Sequence, residues 1–170
     1  DAPPASGQVT VGLFKTPGSI VAAAAAPAED PGTPYCAGDG ADPLVTTDCP
    51  CQNFGATGHG CANSQNAAGA TLDAAGSTSP DTIVLTSEGE LPASLSIFLQ
   101  GNASQGSGLV FGDGVRCVAG SLKRLYVKSA SGGTAIAPQG GDPSITARSA
   151  ALGDPIPMGA AANLIRKLND

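Results

Sequence analysis

Tryptophan is absent from this 170-residue chain, and only four phenylalanines and two tyrosines are present. The large aromatic anchors that usually dominate core burial are therefore scarce. Positive charge is scarce too: eight Lys and Arg stand against fourteen Asp and Glu, for a formal net charge of −6. Phosphate backbones are held by a basic footprint, so no nucleic-acid partner is expected, and the acidity reads as a source of solubility. No apolar run approaches the ~20 residues of a membrane span. No cleavable signal peptide is recognised, and the opening Asp1-Ala2-Pro3-Pro4 has the style of a mature end left after a signal was removed. Histidine occurs once, as His59, so any Ser-His-Asp or Cys-His mechanism would have to use it. There is no G-x-S-x-G elbow, P-loop or H-E-x-x-H. A non-enzymatic chain is expected.

What is abundant points to turns. The chain holds 24 glycines and 14 prolines, and much of its 41% hydrophobic content is alanine. Short strands joined by many turns are favoured over long helices. Only 13% of residues are charged, which argues against charge-driven disorder. The length suits one domain with appendages.

Residues 1–35 read as an N-terminal arm. Within it, Gln8 to Phe14 alternates, with Val9, Val11 and Leu13 on one face, the pattern of a strand. The alanine run that follows is compatible with a short helix or an extended segment. Residues 36–69 lack periodic apolar order and read as a loop-rich disulfide knot. Strands then follow at Thr82–Thr86, Ser94–Gln100, Leu109–Phe111, Val115–Val118, Leu122–Lys128, Ala135–Ala137 and Ser144–Ala147. Alternation places Leu95, Ile97 and Leu99 inward, and sets Leu125 and Val127 opposite Arg124, Tyr126 and Lys128. Gly112-Asp113-Gly114 is a turn signal between two of these strands. From Gly159 to Asp170, Ala160, Leu164 and Leu168 recur at helical spacing, with Arg166 and Lys167 in the last turn. The expected fold is an all-β antiparallel sandwich or jelly roll over 36–158, with a disulfide-rich N-terminal loop region and a short C-terminal amphipathic helix over 159–170.

The cysteines supply the chemistry. Cys49, Cys51 and Cys61 with His59 form a ligand set that zinc accepts, but C-x-C is tighter than the usual zinc knuckle. Disulfides are favoured, which implies an oxidising, extracellular compartment. The preferred pairing is Cys36–Cys49 with Cys51–Cys61, among several that five cysteines allow. Asp39, Asp42 and Asp48 offer oxygen ligands for calcium in a flexible loop, although Asp-Gly is also ordinary turn chemistry. No other cofactor is expected. Only Tyr35 and Tyr126 could serve as a platform for sugar.

Several short segments occur in an order that carries a resemblance: Cys49-Pro50-Cys51-Gln52-Asn53, Gly58-His59-Gly60-Cys61-Ala62-Asn63-Ser64, Phe98-Leu99-Gln100-Gly101 and Phe111-Gly112-Asp113-Gly114-Val115-Arg116-Cys117. Together they resemble a Cys/Gly-rich secreted module of large exported proteins from planctomycetes and related bacteria. The resemblance runs from Tyr35 to about residue 150 and implies export, a β-rich fold and disulfides, with no assigned activity. Modules of that kind continue beyond the position of Gly159 with a further cysteine and a last strand. The resemblance thus implies that Cys117 lacks its usual partner and that a sheet edge stands open.

The functional expectation is a secreted structural or surface module that assembles with other copies of itself. In that reading the strand Val9-Thr10-Val11-Gly12-Leu13 is donated to a neighbour, which makes a head-to-tail filament. The alternatives are an arm that completes its own sheet, and an extracellular glycan- or calcium-binding module.

Overall fold

The computed structural model describes residue 31, residues 34–156 and the backbone of residues 164–167. The arm strand Val9, Val11 and Leu13 lies outside the described residues. In chain order the elements are β1 (Thr71–Ala75), β2 (Val84–Glu88), β3 (Leu95–Gln100), β4 (Ala103–Phe111), β5 (Gly114–Ala119), β6 (Lys123–Ser129), β7 (Ala135–Ala137), α1 (Ile145–Ala151) and β8 (Leu164–Lys167). All strand pairs are antiparallel. One sheet runs β1-β2-β7, a second runs β6-β3-β8, and β4 with β5 forms a two-stranded hairpin. Among the described residues the fold is all-β with one short helix toward the C-terminal end.

Both three-stranded sheets feed one buried cluster. Leu85 of β2, Phe98 of β3, Leu125 and Tyr126 of β6, Ala135 and Ala137 of β7, and Ile145 of α1 meet there. A side chain such as Phe98, fully enclosed, contributes roughly 1.5–3 kcal/mol by leaving water. With few such anchors, small alanines fill the remaining space, and polar groups enter as well. Glu90 is buried, and its Oε2 accepts hydrogen bonds from the hydroxyls of Ser94 and Ser96.

The β4–β5 hairpin turns at Gly112-Asp113, with Phe111 opposite Gly114 and Gly112 at φ 65°, a left-handed value that glycine adopts without strain. Apolar runs and turn signals in the sequence anticipated this hairpin, along with β2, β3, β6 and β7. It did not mark β1, whose Thr71-Leu72-Asp73-Ala74-Ala75 lacks a bulky alternating face.

Two expectations about faces are corrected. On β3 the buried residues are Ser96, Phe98, Leu99 and Gln100, whereas Leu95 is 48% exposed and Ile97 is half-buried. Leu95 and Ile97 thus lie on the outward side, because the large Phe98 claims the core. On β6, Phe98 pairs with Tyr126 while the next β3 residue, Leu99, pairs with Arg124. Leu125 is the extra residue of a β-bulge, so adjacent Leu125 and Tyr126 are both buried, and Val127 is 42% exposed.

The helix is also displaced. It occupies Ile145–Ala151, overlapping the strand expected at Ser144–Ala147, and Leu164–Lys167 of the expected 159–170 helix is strand β8, paired with Ile97–Gln100. Ile145 and Ser149, four residues apart, are its buried positions, which is helical spacing. Asp81, distant in sequence, caps its first turn by accepting from the backbone N–H of Thr146 at 2.8 Å and from its hydroxyl. At Leu164–Lys167 the open side of β3 supplies a ladder partner, and pairing there overrides local helix propensity.

Candidate functional site

Residues 36–69 hold most of the sequence-derived candidates, and the structure uses them to build a rigid loop. Two disulfides are present, Cys36–Cys117 and Cys49–Cys61, and Cys51 is the free, exposed thiol. The expected pairing of Cys36 with Cys49 and Cys51 with Cys61, and the expected unpaired Cys117, are therefore corrected. Two contacts explain the change. The backbone N–H groups of Thr46 and Thr47 both donate to Ser107 O, at 3.1 and 3.0 Å, and the Thr47 hydroxyl donates to Gly108 O at 2.9 Å. That docking lays the loop along the hairpin that carries Cys117. Then the turn Cys49-Pro50-Cys51-Gln52, closed by Gln52 N–H on Cys49 O at 2.9 Å, directs Cys49 inward and Cys51 into solvent. Spacing alone favoured short loops, whereas Cys36–Cys117 spans 81 positions.

The zinc ligand set is consumed by these bonds. Cys49 and Cys61 are bonded to each other, and the Nδ1 of His59 lies 3.1 Å from Gly69 O. Gly38 packs so closely here that a Cβ on it would sit 2.5 Å from the backbone nitrogen of Cys61. His59 thus braces a loop.

The three aspartates each serve a local turn. Asp39 Oδ1 accepts from the N–H groups of Ala41 and Asp42, and Oδ2 from Gly58 N–H at 2.9 Å. Slight desolvation raises its pKa, but the backbone donors of Gly58, Ala41 and Asp42 outweigh it and hold the carboxyl below its usual range. Asp42 Oδ1 accepts from Leu44 N–H at 2.9 Å, and Asp48 Oδ2 accepts from Gln52 Nε2 at 3.3 Å. No group of three or more metal-binding side chains converges among the described residues.

The two tyrosines do not form an exposed platform. Tyr126 is only 6% exposed, its hydroxyl donating to Pro143 O at 2.7 Å, and burial with the nearby Asp142 and Asp81 carboxylates pushes its pKa up. The Tyr35 hydroxyl is enclosed without a hydrogen-bond partner, and burial pushes its pKa up to about 12.

What sequence reasoning missed is the surface. Large exposed apolar side chains fall mainly in two groups: Leu44, Leu109 and Val110 on the loop and hairpin, and Leu95 and Val127 on the outward face of the β3–β6 pair. Charge is divided along the chain as well. Between Lys15 and Arg116 there are ten acidic residues and no Lys or Arg, whereas residues 116–170 hold seven basic and three acidic residues. Among the described residues no helix is long and apolar enough to cross a membrane. No family model, curated protein or solved structure matches the chain.

Proposed function

We propose that the protein is a secreted, non-enzymatic structural module that assembles head-to-tail with copies of itself, the N-terminal arm of one copy adding a strand to the next. The observation that carries this reading is the size of the described sheets. Among the described residues each sheet has at most three strands. The chain also supplies a further alternating segment, Val9, Val11 and Leu13, of the kind that pairs with a strand edge. Two disulfides in a small, aromatic-poor core fit an oxidising extracellular compartment. The residues that would have served a catalytic or metal role, Cys49, Cys61 and His59, are engaged in bracing a loop.

Negative-stain electron microscopy tests the arm directly. The intact chain is expected to form thin linear polymers, and a chain beginning at Thr16 is expected to form none. Dispersed particles from both would remove strand donation. The resemblance to exported bacterial modules agrees with this compartment and proposes no ligand.

A further inference from the structure

We infer that a second interface joins the copies: the Asp42-Pro43-Leu44 turn of one molecule seats on the outward β3–β6 face of the next. It rests on the self-assembly reading, yet it uses none of the arm residues. Leu44 is 73% exposed, the most exposed of the large apolar side chains among the described residues. Such a residue in a mobile loop would mean little, but this turn is fixed. Asp42 Oδ1 and O accept from Leu44 and Val45 N–H, Thr46 and Thr47 are hydrogen-bonded to the hairpin, and Cys36–Cys117 and Cys49–Cys61 hold the segment at both sides. The backbone of the turn is thus held at both sides, and Leu44 projects from it flanked by Asp42 and the exposed Asp48. Little backbone entropy remains to be lost on docking.

The receiving face has the complementary character. Ile97 lies directly across from Val127, and Leu95 is two residues along on the same side. The register also sets Arg124 across from Leu99, so the exposed Arg124 borders this apolar strip. β8 places Lys167 opposite Ile97 in the same sheet. An outward face that keeps Leu95, Ile97 and Val127, while Ser96, Gln100 and Glu90 are buried, reverses the usual arrangement of a sheet facing water.

An apolar knob inside an acidic turn matches an apolar strip beside basic positions. Each copy carries both halves of this match, the acidic knob and the strip bordered by Arg124, so the partner is a second copy. Knob and strip are different patches, which makes the contact heterologous and able to propagate. Opposite charges steer it and make it sensitive to salt.

The test is sedimentation velocity on the full chain and on Leu44→Ser and Val127→Ser, both surface changes whose folding circular dichroism verifies. Each variant alone is expected to self-associate roughly tenfold or more weakly than the native chain. Mixed one to one, they should associate more strongly than either variant alone, because the intact turn of Val127→Ser meets the intact strip of Leu44→Ser. A change of less than about tenfold in either variant, or no gain in association on mixing, overturns the proposal. The chain beginning at Thr16 separates the two interfaces. It keeps this contact if the inference holds, even where strand donation fails. If it dissociates while Leu44→Ser does not, strand donation stands alone.

Discussion

Ser149 is fully buried on α1, and its hydroxyl donates to Gln100 Oε1 at 2.6 Å, while Gln100 Nε2 donates to Asp154 O at 2.8 Å. The network locks the helix onto β3 in a core that has few large side chains to do so. Ser149→Ala leaves a buried acceptor without its donor and is expected to cost about 1–3 kcal/mol, read as a lowered urea midpoint. The cysteines divide in the same way between partnered and free. Constraint of the unfolded chain predicts about 4.5 kcal/mol for the bridge spanning 81 positions and about 3 kcal/mol for the one spanning 12. Cys117→Ser should therefore lower the thermal midpoint sharply, whereas Cys51→Ser should leave it within a degree or so of native. Thiol labelling of the native chain should modify Cys51 alone. Labelling at Cys117 would restore the pairing that spacing favoured.

Among the elements, strand existence was far more legible than strand orientation. β3 and β6 were readable because apolar residues recur along them. Their inward sides were not, because β3 carries Leu95, Ile97 and Leu99 on one side and Phe98 on the other, and period two cannot rank them. The bulge at Leu125 breaks the period outright, and nothing local in Lys123–Ser129 announces it. The helix was misplaced for a related reason: Asp81, sixty-five positions away, supplies its cap. The knot at 36–69 was recognised as a loop, but its bridges depended on where the hairpin lies, which spacing does not encode. Its turns carry a pH dependence. Asp39 has a folded pKa below its unfolded value, so it adds stability that is fully present above the unfolded pKa and disappears as pH falls through the folded one. Asp142, lowered by the Lys128 ammonium and the Gln139 N–H, acts in the same direction. Asp39→Asn should shrink the drop in thermal midpoint between about pH 6 and about pH 3, as differential scanning fluorimetry would record. An unchanged drop would mean that these turns are not held by the carboxylate.

At the scale of the whole molecule, the division of charge is the feature that the sequence displayed most openly, since no Lys or Arg interrupts the hundred residues between Lys15 and Arg116. Its meaning needed the fold, which sets the acidic turn beside the hairpin and places Arg124 and Lys167 across from the outward side of β3. Such an asymmetric molecule favours head-to-tail contacts over two-fold ones, because like patches repel and unlike patches attract. The proposed strand donation and the proposed Leu44 contact share the same head-to-tail polarity. The measurement that bears most directly on this account is sedimentation velocity of the intact chain over a wide concentration range at low salt. The account expects the weight-average sedimentation coefficient to rise with concentration, without a plateau at dimer, and to fall when salt is added. A single monomeric boundary at every concentration would contradict it.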